Sequence, residues 1–120
     1  MRSVDFVVWH AAERPSQKEA VKIFVRLLEG DTAVVRPHPG VGRFLVDLRR
    51  SEDDDSDAWS APVRSSEGHV CLSVGARLSE MRYKIQRLAS KNGLSVVDSE
   101  TKTVNFPGDP PTETPWWEKW

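Results

Sequence analysis

At 120 residues the chain has the size of one domain, and folding at this length buries roughly two-thirds of the surface of the unfolded chain. Seventeen basic residues against eighteen acidic ones leave a formal net charge of −1, which provides no global field for nucleic acid or an anionic membrane. A single cysteine, Cys71, excludes an intrachain disulfide and a cysteine-based zinc site, and no apolar run approaches the length that spans a bilayer, so the chain reads as cytoplasmic.

The near balance of charge hides segregation: residues 1–50 carry +3, residues 51–57 carry −5, residues 58–92 carry +4 and the remainder −3. Residues 4–9 read as a strand, with Val4, Phe6 and Val8 on one face and Val7 and Trp9 on the other. Burial on both sides is implied, which marks a central strand. S-Q-K-E at 16–19 is a capping box, so a helix is expected to begin there. Ala20, Phe24, Leu27 and Leu28 recur at helical spacing, Ile23 widens the stripe, and Gly30 supplies the left-handed residue that ends such helices. T-A-V-V at 32–35 is expected as a short extended piece. Val41, Phe44, Leu45 and Leu48 then predict a second helix over 39–50. It runs into S-E-D-D-D-S-D at 51–57, which is too charged to bury and reads as an exposed loop.

W-S-A-P-V and H-V-C-L-S-V flank the turn-length R-S-S-E-G and predict a β-hairpin in which Val70, Leu72 and Val74 alternate with His69, Cys71 and Ser73. His69 is expected to point outward. Leu78, Met81, Ile85 and Leu88 form the apolar seam of a third helix, stopped by Asn92 and Gly93. Residues 94–97 make another strand, with 101–106 as an optional partner before P-G-D-P-P ends regular structure. The order β-α-α-β-β-α-β, with an optional last β, matches a split β-α-β plan. The expected fold is α+β: a ferredoxin-like two-layer sandwich with a mostly antiparallel sheet, helices on one face, and the short second helix as an insertion in the first crossover. Residues 1–106 form this domain and 107–120 a tail rich in proline and tryptophan.

The acidic run is where a hard cation would be sought. Asp53, Asp55 and Asp57 fall at positions 1, 3 and 5 of the EF-hand pattern, but Ala58 replaces the glycine at position 6 and Arg64 the glutamate at position 12. The pattern therefore fails, and no metal or other cofactor is expected. As a solvated loop, Asp53, Asp54, Asp55 and Asp57 offer a docking surface to a basic partner. Trp59 ends the loop and is expected to pin it to the core. Trp9 and His10 close the first strand and define the alternative reading, a small-ligand or enzyme-like pocket near Trp9, His10 and Trp59. His38, between two prolines, is placed in an exposed loop.

No G-x-S-x-G, P-loop or dinucleotide fingerprint occurs, so no catalytic residue is assigned. The candidate strands lack the aromatics on which RNA-recognition modules stack bases. Arg77, Arg82, Lys84, Arg87 and Lys91 on the third helix read as an ordinary solvated face. Three indoles in the tail, Trp116, Trp117 and Trp120, are too large an apolar surface to leave in water. Docking on the same domain, on a second copy or on another protein would cover them.

V-D-F-V-V-W at 4–9, S-D-A-W at 56–59 and L-A-S-K-N-G-L-S-V-V-D at 88–98 resemble an uncharacterised family of small bacterial α+β proteins over residues 4–106. Some of its members are thought to be immunity proteins encoded beside toxins. The family pattern has histidine at the position of Asn92 and an aromatic at that of Val97, so a site built on those groups would not carry over. The acidic loop, the indole-bearing tail and the lack of catalytic patterning point to a non-catalytic protein-binding domain, with Asp53, Asp54, Asp55, Asp57, Trp59, Trp116, Trp117 and Trp120 as partner-binding residues; the resemblance adds toxin neutralisation as its most concrete form. The partner would be a protein, a basic toxin in the most concrete case, or a second copy of the chain; a homo-oligomeric structural role is the remaining alternative.

Overall fold

The structure, a computed structural model, describes residues 3–11, 15–50, 59–100, 102 and 104–108. In chain order these form β1 (Val4–Trp9), α1 (Gln17–Leu28), a 3-10 turn (Thr32–Val34), α2 (Pro39–Arg50), β2 (Arg64–Ser65), β3 (His69–Val74), α3 (Leu78–Lys91), β4 (Ser95–Asp98) and β5 (Val104–Asn105). Among the described residues the strands build one five-stranded sheet in the order β2-β3-β1-β4-β5, every pairing antiparallel. The protein is α+β.

β1 is central, as its two-sided apolar pattern requires. It pairs with β3 from Val4↔Val74 to Trp9↔His69 and with β4 from Phe6↔Asp98 to Trp9↔Ser95. Asp5 interrupts the apolar run but keeps its polar groups satisfied: its carboxylate accepts the Ser73 hydroxyl at 2.7 Å, and its backbone N–H donates to Ser99 Oγ at 3.0 Å.

The helices do not share one face. Val4, Phe6 and Val8 pack with Val70, Leu72 and Val74 of β3, Val41, Phe44 and Leu48 of α2, and Met81, Ile85 and Ala89 of α3. Val7 and Trp9, on the reverse of the same strand, pack with Cys71, Val97 and the Ala20, Phe24 and Leu27 stripe of α1. The sheet is thus the middle of three layers, which corrects the two-layer expectation. The physical reason lies in β1 itself: a strand apolar on both faces must be covered on both.

Local chemistry sets the helix boundaries. Ser16 caps α1 by accepting the Glu19 N–H at 3.2 Å, and Gly30, at φ +93°, closes its far end. Gly93, at φ +73°, does the same after α3. T-A-V-V is a 3-10 turn instead of an extended piece, because Asp31 Oδ1 accepts the Ala33 N–H at 3.1 Å and starts a helical turn. The first arm of the hairpin shrinks to β2 and an isolated bridge between Trp59 and Val74. Pro62, between them, has no N–H to give to a ladder.

Candidate functional site

Of the residues singled out in the sequence, Asp53, Asp54, Asp55 and Asp57 of the acidic run and Trp116, Trp117 and Trp120 of the tail lie outside the described residues. Trp59, Trp9 and His10 are described, and they fall in two separate places. Trp59 bridges Val74, whose partner is Val4, at the opposite end of β1 from Trp9. It packs on the core beneath α2 and α3, whereas Trp9 packs beneath α1. Trp59 is therefore no part of a pocket beside Trp9 and His10.

Trp59 instead lines an open groove between α2 and the strand edge. Leu45 and Leu48 of α2 form one wall, Pro62, Val63 and Ser65 the other, and Arg49 sits at the rim; the groove encloses about 290 Å³. The alternation that buries Phe44 and Leu48 leaves Leu45 half-buried at the edge of the stripe. Partial burial of the indole fixes its position while one edge still borders the groove. Trp59 is packed on the core as expected, and the acidic run, outside the described residues, ends at Asp57 two positions before it.

At the other end of β1, His10 meets His38. Their rings stack with centroids 3.8 Å apart and planes 12° from parallel. The hydrogen bonds fix both tautomers. Gly93 O can only accept, so the proton it receives at 3.2 Å is on His10 Nδ1. The Gly40 N–H donates to His38 Nδ1 at 3.0 Å, so the neutral His38 ring carries its proton on Nε2. Burial holds His38 below the ordinary imidazole value, and His10 and Arg43 push in the same direction. Gly40 belongs to this joint because a Cβ there would stand 2.4 Å from Asn92 O. Sequence reasoning placed His38 in a separate exposed loop; pairing of residues 28 positions apart leaves no local signal.

Beside this stack, Trp9, His10, Ile23, Val34, Val35 and Pro37 line a cavity of about 270 Å³, with Arg36 also on its wall. The indole of Trp9 is 1% exposed, so it is a core side chain first and forms the floor of the cavity.

Asn92, the position where the resembled family has histidine, joins two helices. Its side-chain amide donates to Asp47 Oδ2 of α2 at 3.1 Å and to Leu88 O at 2.9 Å. The Asn92 bond holds the Asp47 carboxyl below its usual value, with Lys91, 3.5 Å away, and Arg50 acting the same way against a weaker opposing effect of burial.

Three expectations about polar side chains are corrected. His69 does not point outward: it is buried, because α1 covers that face, and its Nδ1 shares a hydrogen bond with Ser66 Oγ. Burial lowers its pKa, and Arg64 adds to the effect. Arg82 is not part of a solvated face but is buried against Asp98 and Glu100. His38 is half-buried in its stack.

Among the described residues no group of three or more His, Cys, Asp or Glu side chains could hold a metal ion. Cys71 is buried in the core with its thiol pushed up by burial, the reverse of an activated nucleophile. Among the described residues no helix is long and apolar enough to cross a membrane. Comparison with protein-family models, curated proteins and solved structures returns no match.

Proposed function

We propose that this chain is a non-catalytic protein-binding domain whose docking surface is the Trp59 groove together with the acidic run that precedes it. The observation that carries this reading is the position of Trp59, held at the groove between α2 and residues 62–65 two residues after Asp57. Such a surface suits a partner presenting an apolar side chain beside a cluster of lysines and arginines. The aromatic wall supplies an anchor, and five carboxylates within residues 52–57 steer a basic surface toward it. Neutralisation of a basic toxin is the most concrete form of this function. The order β2-β3-β1-β4, with α2 and α3 together on one face, supports a ferredoxin-like core in which α1, not α2, is the addition to the first crossover.

The test is coexpression with neighbouring genes, followed by affinity measurements on the partner recovered. Trp59→Ala is expected to weaken binding by about thirtyfold or more. Replacing Asp53, Asp54 and Asp55 with asparagine is expected to slow association and to flatten its salt dependence. A partner whose affinity ignores both changes would defeat this assignment.

A second reading has one observation in its favour, the cavity floored by Trp9 beside His10. A small apolar ligand there would raise the melting temperature in proportion to the logarithm of its concentration, and Ile23→Trp would abolish that rise.

A further inference from the structure

The exposed side of α3 carries a shallow groove of about 520 Å³ lined by Glu80, Tyr83, Lys84, Arg87, Leu88 and Lys91. Its floor is the aliphatic and aromatic surface of Leu88 and Tyr83. The guanidinium carbon of Arg87 stands 5.6 Å from the centroid of the Tyr83 ring, and Arg87 Nη1 donates to Tyr83 Oη at 2.9 Å. Cation and ring together offer a platform of the kind on which an indole stacks. Three cations and one carboxylate line the groove, so it is locally basic.

The last described residue, Gly108, is tied to the same helix: its N–H donates to Ser90 Oγ at 2.8 Å, one residue before Lys91. The chain beyond it, D-P-P-T-E-T-P-W-W-E-K-W, carries Asp109, Glu113 and Glu118 against Lys119, a net charge of −2. Trp116 lies eight residues past Gly108 and Trp120 twelve. At about 3.1 Å per residue for a proline-rich stretch the first reaches ~25 Å, whereas α3 is only ~20 Å long at 1.5 Å per residue. The whole groove is within range of an acidic, indole-bearing segment anchored at its end.

We propose that residues 113–120 dock in cis along this groove, with an indole stacked on the Arg87–Tyr83 platform and Glu113 and Glu118 set against Lys84, Arg87 and Lys91. The occupant is this chain's own tail: tether length, anchor position and charge all select it over a partner arriving from solution. The docking does not rest on the Trp59 groove and stands or falls separately.

The test uses the full chain labelled with ¹⁵N at tryptophan. Expected are nuclear Overhauser contacts from a tail indole to Tyr83 and Leu88 that persist on dilution, and tail amides protected about tenfold or more from exchange. Lys84→Glu with Arg87→Glu should abolish both while leaving the buried Trp9 indole signal in place, which reports that the core is intact. Adding Glu113→Lys and Glu118→Lys to that variant should restore them. Tail indoles at free-peptide positions in the unsubstituted chain would overturn the proposal, as would contacts that vanish on dilution, the mark of a second copy, or contacts to a different surface.

Discussion

Arg82 of α3 and Asp98 of β4 face each other inside the protein, Nε to Oδ2 at 3.4 Å, with side chains 1% and 2% exposed. Glu100 meets the same guanidinium at 2.9 Å from Nη2, and the Phe6 ring lies under it at 5.9 Å. The register explains the meeting: Asp98 is the β4 partner of Phe6, so its carboxylate emerges on the face that α3 covers. Desolvation offsets much of the attraction in such a pair, but removing Asp98 leaves the buried guanidinium relying on the more exposed carboxylate of Glu100.

Asp98→Ala is therefore expected to lower the free energy of unfolding by about 3–5 kcal/mol. Glu100→Ala, whose carboxylate is 28% exposed, should cost about 1 kcal/mol or less. Urea unfolding of the two variants decides the matter, and equal losses would place the ion pair at the surface.

Acid should weaken the fold through histidine. His38 and His69 are both held below the ordinary imidazole value, chiefly by burial. Between those lowered values and the unfolded value of about 6.5, the unfolded chain binds more protons than the native one. Their neutral forms thus contribute fully above that unfolded value, and the contribution is lost as pH falls through the window. The urea midpoint is expected to decline as pH falls below about 6.5. His38→Asn and His69→Asn should each flatten part of the slope, since the asparagine oxygen replaces Nδ1 without titrating.

Two glycines of one helix should respond with opposite sign. A Cβ on Gly40 would sit 2.4 Å from the backbone oxygen of Asn92, whereas one on Gly42 meets nothing within 4 Å. Gly40→Ala must push α2 away from the end of α3 and is expected to destabilise by about 1–3 kcal/mol. Gly42→Ala should stabilise by about 0.5–1 kcal/mol through the unfolded chain. Melting temperatures that moved together would show the two helices packed otherwise.

Cys71 should resist thiol reagents until the protein opens. Its side chain lies beneath α1, with Sγ 3.9 Å from Leu27 O, and burial raises its pKa. Labelling of the native protein is expected to be at least about a hundredfold slower than labelling in denaturant. A native rate close to the denatured one would mean that α1 detaches readily from the sheet.

Much of this was legible in the sequence. β1, α2 and the capping of α1 fall where pattern and cap residues put them, and the stripe of α3 ends at Asn92 and Gly93 as expected. β4 begins one residue late, which leaves the alternation of Val96 and Val97 unchanged. What misled was the layer count. Periodicity says which side of a helix is apolar but not which side of a sheet receives it, and the clue was Val7 and Trp9, which needed a cover of their own. Arg82 was misread because it was grouped by residue type with Arg77, Lys84, Arg87 and Lys91, whereas its helical position beside Met81, Ile85 and Gln86 puts it on the buried face. The histidine stack depends on a close approach across the fold, which spacing along the chain does not encode.

Among the described residues both margins of the sheet are only two residues long, Arg64–Ser65 on one side and Val104–Asn105 on the other. A foreign strand seeking to extend the ladder finds scarcely one rung at either border before the chain turns away, and at one border it meets an arginine. The protein should consequently tolerate high concentration without growing fibrils by strand addition, even though β1, its most apolar segment, would be a potent seed if it were ever released from the middle.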